Sequence, residues 1–503
     1  MKGFLLMSQE QSNNNQKNHN ISRRNFLSVT AGTAAAAFTI VPRNVLGGPG
    51  FTPPSDMVNV AGIGIGSRGG QDIQQICDPD VPIERNRPSG GSTRRRSSGQ
   101  GGQQTGQRPP QRQQEEREPT KLANIYALCD VDTDFAGRIF KGYPKAKVYQ
   151  DFRKMLDKEK EIDAVVIGTP DHSHAVIASW AMKMKKHVYV EKPMAKTIYE
   201  CRKLAEIAKE MNVVTQMGNQ GHASDDARLI NEWIADGALG DVREVHCWTN
   251  RPIWPQGDLE RPEEIPSVPS TLDWNVWLGP APFKPYHPSV CHFNWRGLQD
   301  YGTGALGDMG AHIFDHPFWA LNLGYPNKVQ ACSTRYSEDY WPLAEIITYE
   351  FPARGKMPPV KLTWFDGGLT PPRPAELEPG RRITSSGVFY YGDKNVLTHT
   401  DYGRSPRIIP ETRMKEYKLP PKTLPRSPGI YKEWIDAIKN NTKSSTDFSY
   451  SSRLVETMML GNIAVLMKDQ NKILEYDGEN MKFTNVPEAN DLLHYEYRIG
   501  WSI

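Results

Sequence analysis

The stretch that most narrows the possible folds is a short apolar strand running into a glycine turn. Met57-Val58-Asn59-Val60-Ala61 is followed by Gly62-Ile63-Gly64-Ile65-Gly66-Ser67-Arg68-Gly69, in which Gly64, Gly66 and Gly69 fit G-x-G-x-x-G. The first glycine permits a tight turn and the second lets the backbone approach a pyrophosphate. The third allows close helix packing, with the phosphates at a helix N-terminus. Alone, the pattern also suits a merely flexible turn. Here it follows a strand and opens a helical run to about Cys77, the context that dinucleotide binding requires.

An acidic residue is due about 20 positions later, but residues 79–120 form a Gly/Gln/Arg/Ser/Pro-rich tract with almost no apolar content. Such a tract cannot bury enough surface to fold, so it is expected to be a disordered insertion. A polyanion-binding tail is the alternative. Beyond it, Asn124 to Cys129 reads as a strand ending in Asp130. Removing the 42-residue tract shortens the Gly69-to-Asp130 separation from 61 to 19. Asp130 then fits as acceptor for a ribose hydroxyl, favouring NAD over NADP by repelling a 2′-phosphate. An ordinary strand-end aspartate is the competing reading.

Strands and helices continue to alternate. Strands are expected at 147–149, 162–167, 188–191 and 213–216, with helices near 133–141, 151–158, 173–184 and 197–210 between them. That rhythm predicts a doubly wound parallel sheet. The insertion joins a helix end to a strand start, which puts it on the sheet edge away from the cofactor. Two strand ends carry chemistry to the ligand edge. Ile162 to Ile167 ends in Gly168-Thr169-Pro170-Asp171-His172, and Val188 to Val190 ends in Glu191-Lys192-Pro193. The expected cofactor-binding set is Gly64, Gly66, Ser67, Arg68, Gly69, Asp130, Thr169, Pro170, His172, His174, Glu191, Lys192 and Asn219. Glu191-Lys192 by itself could equally be a solvated charge pair.

After Gly218-Asn219-Gln220-Gly221-His222 the pattern changes. A helix at 225–236 precedes longer β-rich segments at 241–249, 328–336, 344–351 and 360–365, which predict a largely antiparallel sheet. Helices follow near 429–439 and 451–467. Residues 57–219 are therefore expected to form the nucleotide domain and 220–503 a substrate domain. In the second, Gly302-Thr303-Gly304-Ala305-Leu306-Gly307-Asp308-Met309-Gly310-Ala311-His312 approaches a helix on which Asp308 and His312 stand at i and i+4, sharing one face. A carboxylate beside an imidazole can orient it and raise its basicity, as general-base catalysis needs. A capping aspartate with a surface histidine, or two ligands of a metal, would give the same spacing. No third ligand of convincing spacing appears, so no metal is expected. Pro317 is expected to interrupt this helix and to push His316 away from helical geometry.

Composition excludes some classes. The net charge of +3 is smaller than the +4 surplus of residues 84–118 alone, with eight arginines and four glutamates. The remainder is near neutral, which argues against a folded nucleic-acid-binding face. Six scattered cysteines with no C-x-x-C pair predict free, mostly buried thiols. Residues 1–50 are read as an export signal with a disordered N-terminus. Ser22-Arg23-Arg24-Asn25-Phe26-Leu27 opens a weakly apolar run and resembles a twin-arginine signal. No other stretch is long and apolar enough to span a membrane. Folded export implies a periplasmic protein, possessing no nicotinamide pool to exchange with, that carries its cofactor along. If the signal is not cleaved, it would tether the protein to the membrane.

In this order, Gly64/Gly66/Gly69, Asp130, Glu191-Lys192-Pro193 and Asp308-x-x-x-His312 resemble the Gfo/Idh/MocA family, the glucose–fructose oxidoreductase and inositol dehydrogenase group. The resemblance implies a Rossmann domain followed by an α/β domain with a large open, mostly antiparallel sheet, which often mediates homodimers or homotetramers. It implies that Lys192 lies near nicotinamide and substrate, with a cis bond to Pro193, and that Asp308 and His312 are the substrate-site carboxylate and general base. Lys192, Asp308 and His312 are thus the expected catalytic residues. Trp254, His292 and Arg296, on Trp-rich loops, are candidates for stacking on a sugar and binding its hydroxyls. The expected activity is NAD-dependent oxidation or reduction of a sugar, glycoside or polyol. Redox-neutral glycoside cleavage by oxidation and elimination, or a non-catalytic binding protein, are the alternatives.

Overall fold

A computed structural model describes residues 57–77 and 121–503. The expected export signal and the insertion at 79–120 lie outside the described residues. In the nucleotide domain six strands form one parallel sheet in the order β3-β2-β1-β4-β5-β6. They are β1 (Asn59–Ile63), β2 (Asn124–Cys129), β3 (Lys147–Tyr149), β4 (Ala164–Ile167), β5 (His187–Glu191) and β6 (Thr215–Gly218). The chain reverses its winding direction between β1 and β4, so a crevice opens there at the carboxyl ends of the strands. β4 reads Ala-Val-Val-Ile with all four residues buried, as expected of a parallel strand covered on both faces.

Helices close both faces. Asp171–Lys183 begins two residues before its expected start, because Pro170 in an extended conformation stands at the N-cap. Ile198–Met211 is set by a capping box in which Thr197 and Glu200 exchange side-chain-to-backbone hydrogen bonds. The helix expected near 133–141 is shorter and forms only at Gly137–Gly142. Ile430–Asn440, far along the chain, buries Ile430, Trp434, Ile435 and Ala437 in the same apolar cluster as Val60, Ile73 and Tyr189. The C-terminal half therefore completes the core of the first domain.

The second sheet has nine strands in the order β13-β12-β11-β7-β10-β9-β8-β14-β15. β7 (Val242–Trp248), β8 (Lys328–Ser333), β9 (Glu345–Phe351) and β10 (Val360–Phe365) are the expected strands. β11 (Gly387–Gly392), β12 (Val396–Thr400), β13 (Arg407–Ile409), β14 (Leu474–Asp477) and β15 (Lys482–Phe483) are additional. The β7–β10 pair is parallel and the other pairs are antiparallel. Helix Phe448–Leu466 packs between this sheet and Ile198–Met211, with 15 of its 19 residues buried.

The segment bearing Asp308 and His312 corrects one expectation. Helix Gly304–Ile313 ends before Phe314, and a second helix, Asp315–Ala320, contains both His316 and Pro317. Phe314 itself keeps right-handed helical angles. Pro317 lies in the first turn of the second helix, where a missing N–H costs nothing. His316 is thus helical and not displaced. Among the described residues Cys129, Cys201 and Cys247 are buried free thiols, Cys291 is a half-buried one and Cys332 an exposed one, while Cys77 is half-buried. No helix among the described residues is long and apolar enough to cross a membrane.

Candidate active site

A cleft of about 310 Å³ runs from the glycine turn to the helix carrying Asp308 and His312, within the size range of small-molecule sites. At its first end Gly64 has φ +74°, and a Cβ there would lie 2.6 Å from the Thr169 side chain and 2.7 Å from the Thr169 main-chain nitrogen. Gly69 packs against the Gly64 carbonyl behind the turn and does not line the cleft. Asp130 ends β2 beside the turn. Its carboxylate accepts hydrogen bonds from the Gly66 N–H at 2.8 Å and the Asp132 N–H at 3.0 Å. Burial nevertheless pushes its pKa up to about 6. These residues fit a dinucleotide: Gly64 makes the tight turn against Thr169 that a side chain would block, and a fixed carboxylate stands at the neighbouring strand end.

Arg68, at the first position of its helix, is held by four partners. It contacts Glu191 Oε1 at 3.1 Å, Asp72 Oδ1 at 2.9 Å, the Tyr431 hydroxyl at 2.9 Å and Gln71 Oε1 at 3.4 Å. Gln220 also donates to Glu191 Oε1. Burial drives the Asp72 carboxyl up to about 8 against the pull of Arg68, and Glu191 adds to the rise. Glu191 therefore serves to fix Arg68 at the edge of the cleft. Thr169 and Pro170 line the wall, as does His174, whose ring nitrogens face the carbonyls of Pro193 and Thr169, both at 2.8 Å. Ser67 lines it too.

Besides Gly69, two further expected cofactor residues lie outside the cleft lining. His172 is fully buried between the carbonyls of Trp277 and Tyr301, at 3.0 and 3.3 Å, and burial lowers its pKa to about 4. Asn219 is fully buried beyond β6, and neither polar atom of its side-chain amide has a partner among the described residues. Position after a strand end suggested both residues, but neither lines the cleft.

At the far end, Lys192 leaves β5 through a cis bond to Pro193. Its ammonium donates to Asp308 Oδ1 at 2.6 Å and to the Asp308 carbonyl at 2.8 Å. Burial alone would raise the Asp308 carboxyl, but Lys192 and then Arg296 outweigh it and hold the pKa at about 2. Of the two roles expected of Asp308, orienting His312 or binding a hydroxyl, the first has no hydrogen bond behind it, because the carboxylate is turned to Lys192. His312 instead lies 4.2 Å from the Tyr402 ring, its Nδ1 buried without a partner among the described residues. Burial, then the Lys192 charge, keep its pKa well below the ordinary value. It is consequently neutral near pH 7 and able to accept a proton.

Trp254 and Arg296 line this end of the cleft. His292 lines the cleft but is placed at the nucleotide end, stacked on Phe135 with ring centroids 3.9 Å apart and its Nε2 3.1 Å from Asp132 Oδ2. Its loop is tied there by Thr133 N–H to Thr271 O and Asp273 N–H to Val131 O. Phe135 covers Gly66, so a Cβ on that glycine would run into its ring. Sequence reasoning missed Phe135, Arg251, Trp295 and Tyr402. Arg251 opens the Trp/Pro-rich loop and could have been found as a lone charge entering it. Tyr402, at φ +59° in a short turn, carries no comparable signal.

Residues 99–219 match the model described as oxidoreductase family, NAD-binding Rossmann fold, and residues 245–350 match that family's C-terminal alpha/beta domain. The chain is 28% identical over 166 residues to a levoglucosan dehydrogenase from Pseudarthrobacter phenanthrenivorans, covering 33% of this chain and 34% of that one. It is 25% identical over 248 residues to a glycosyl hydrolase family 109 protein from Shewanella baltica, covering 44% and 45%. The chain thus spans less than half the length of these curated relatives. An NAD-binding protein from Listeria innocua shares the fold with a TM-score of 0.52 at 15% identity, covering 83% of this chain and 97% of that one.

Proposed function

We propose that this protein, whose two halves match the two models of the Gfo/Idh/MocA oxidoreductase family, moves hydride between a carbohydrate CH–OH carbon and a tightly held NAD. The convergence of Lys192, from the nucleotide domain, with Asp308 and His312, from the other, carries the reading. Bound nicotinamide would supply the hydride acceptor. The glycine turn, Ser67 and Arg68 would hold its phosphates, and Asp130 its ribose, with NADP disfavoured. His312 takes the proton of the reacting hydroxyl. Lys192 donates a hydrogen bond to the same oxygen as it gains negative charge, and Asp308 keeps the ammonium in place. The C–H pair of electrons leaves as hydride, the O–H proton goes to His312, and a carbonyl remains. Mass spectrometry of nucleotide released from the denatured, as-purified protein, followed by a glycoside and polyol screen at 340 nm, tests this. A protein with neither bound nucleotide nor hydride transfer to any member refutes it.

The likeness to a glycosyl hydrolase family 109 protein favours one second reading. Transient oxidation would acidify a neighbouring C–H, an aglycone would be eliminated, and the hydride would return. Aglycone release without net NADH supports it, and stoichiometric keto-sugar with an intact glycosidic bond counts against it. Export through the twin-arginine pathway and homo-oligomerisation belong to the same proposal. Fractionation of the producing cell and sedimentation of the purified protein test them.

A further inference from the structure

The substrate end of the cleft holds more positive charge than the proposed chemistry uses. Lys192 Nζ, Arg251 Nε and Arg296 Nε lie 2.6, 3.8 and 3.8 Å from the single carboxylate of Asp308. Lys192 alone makes a hydrogen bond to it; the two arginines stand beyond hydrogen-bond range. Asp171 is the other carboxylate lining this end. It is buried, accepts a hydrogen bond from the Thr303 hydroxyl at 2.6 Å, and burial raises its pKa. Even with Asp171 ionised, the cations outnumber the carboxylates three to two. The remaining acids of the cleft are engaged elsewhere, Glu191 by Arg68 and Asp130 by the glycine turn.

The two guanidinium groups are held in place and largely unspent. Arg296 lies over the Trp295 and Phe293 rings, 4.3 and 4.7 Å from their centroids, and gives one N–H to the Phe293 carbonyl at 3.0 Å. Arg251 gives one long bond, 3.4 Å, to its neighbour Asn250. Their side chains are only 22% and 30% exposed, and both line the cleft. Each guanidinium offers five donors in a fixed fork that matches a carboxylate. A neutral sugar returns none of the repulsion between two such groups beside one already claimed carboxylate. An anionic ligand does.

Resting on the oxidoreductase reading of this site, we infer that the substrate is an acidic carbohydrate of the uronate class, its carboxylate bound by Arg251 and Arg296. The reacting hydroxyl then faces Lys192 and His312, and the Trp254 side of the cleft takes the apolar face of the ring. The test uses matched pairs of methyl glycosides and methyl uronides in the gluco, galacto and manno series. Each is titrated calorimetrically into the protein as purified, and each is assayed for turnover. At least one uronide should bind about tenfold or more tighter than its neutral counterpart. In Arg251→Gln and Arg296→Gln the ratio of the two dissociation constants should fall toward one, while Arg296→Lys keeps part of it. Thermal unfolding of each variant separates this from misfolding. If no uronide in wild-type protein binds better than its glycoside, or if the glutamine variants leave the ratio intact, the inference is overturned. A uronide that binds with the expected preference but is never oxidised supports this inference and refutes the hydride-transfer reading instead.

Discussion

Replacing Asp308 by asparagine keeps the shape of the side chain and removes the one carboxylate that Lys192, Arg251 and Arg296 share. The carboxyl is held at about 2, against an ordinary 3.8. At about 1.36 kcal/mol per unit, the ionised form contributes about 2 kcal/mol to the folded state at neutral pH. Because the folded value is depressed, that contribution is complete above pH 3.8 and is lost as pH falls toward 2. Asp308→Asn should therefore unfold earlier than wild type at pH 7, by about 2 kcal/mol or a few degrees. The gap should close as both proteins are taken below pH 4. Lys192→Met combined with Asp308→Asn should recover part of the loss, since removing both partners leaves fewer uncompensated charges. Urea unfolding at stepped pH measures all three. An Asp308→Asn protein as stable as wild type at pH 7, or a gap unchanged down to pH 3, would show that this carboxylate is not what balances the cations.

His312→Gln should lower turnover by about 10² to 10⁴ while leaving nucleotide content unchanged, as removal of a general base does; absorbance of the purified variant and single-turnover kinetics separate the two. Because burial and Lys192 depress its pKa, His312 stays unprotonated through pH 7, and the acid limb it imposes on kcat/KM should fall below pH 6.5. A limb centred above 7 would exclude it as the base. Gly64→Ala adds a Cβ at φ +74° against Thr169, costing about 1–2 kcal/mol in backbone strain before any repacking, and the variant should purify with little nucleotide. Asp130 carries a pKa near 6 from burial, so affinity for NAD should decline as pH falls through 6, and Asp130→Ala should narrow the preference over NADP. Fluorescence titration with both nucleotides gives the comparison.

The parallel half of the fold was legible because its signals are local. β4 is four consecutive buried apolar residues, and the glycine turn sits directly between β1 and its helix. Asp130 could be placed only after the 79–120 tract had been removed from the count. In the second domain β11 to β15 went unseen. They are two to six residues long, too short for an alternating pattern to rise above the background. The helix Ile430–Asn440 was recognised, but not that it packs on the nucleotide domain, since nothing in an amphipathic stripe says which surface will cover it.

The site shows the same division between spacing and partnership. Spacing of i and i+4 correctly put Asp308 and His312 on one helix, and it suggested that each was the other's partner. The tertiary fold brings a lysine within 2.6 Å of the carboxylate, and a full positive charge outcompetes a neutral imidazole for it. Two consequences follow from that exchange. His312, deprived of a carboxylate and buried against Tyr402, is left as a neutral base whose position is set by packing. The lysine, in turn, claims the carboxylate that Arg251 and Arg296 both approach, so the surplus of cations is sharpened by the same contact that readies Lys192 for its role. A ligand carboxylate placed between those arginines would restore the balance without disturbing the Lys192–Asp308 pair, which is why charge on the substrate and catalytic alignment can be satisfied together in this cleft.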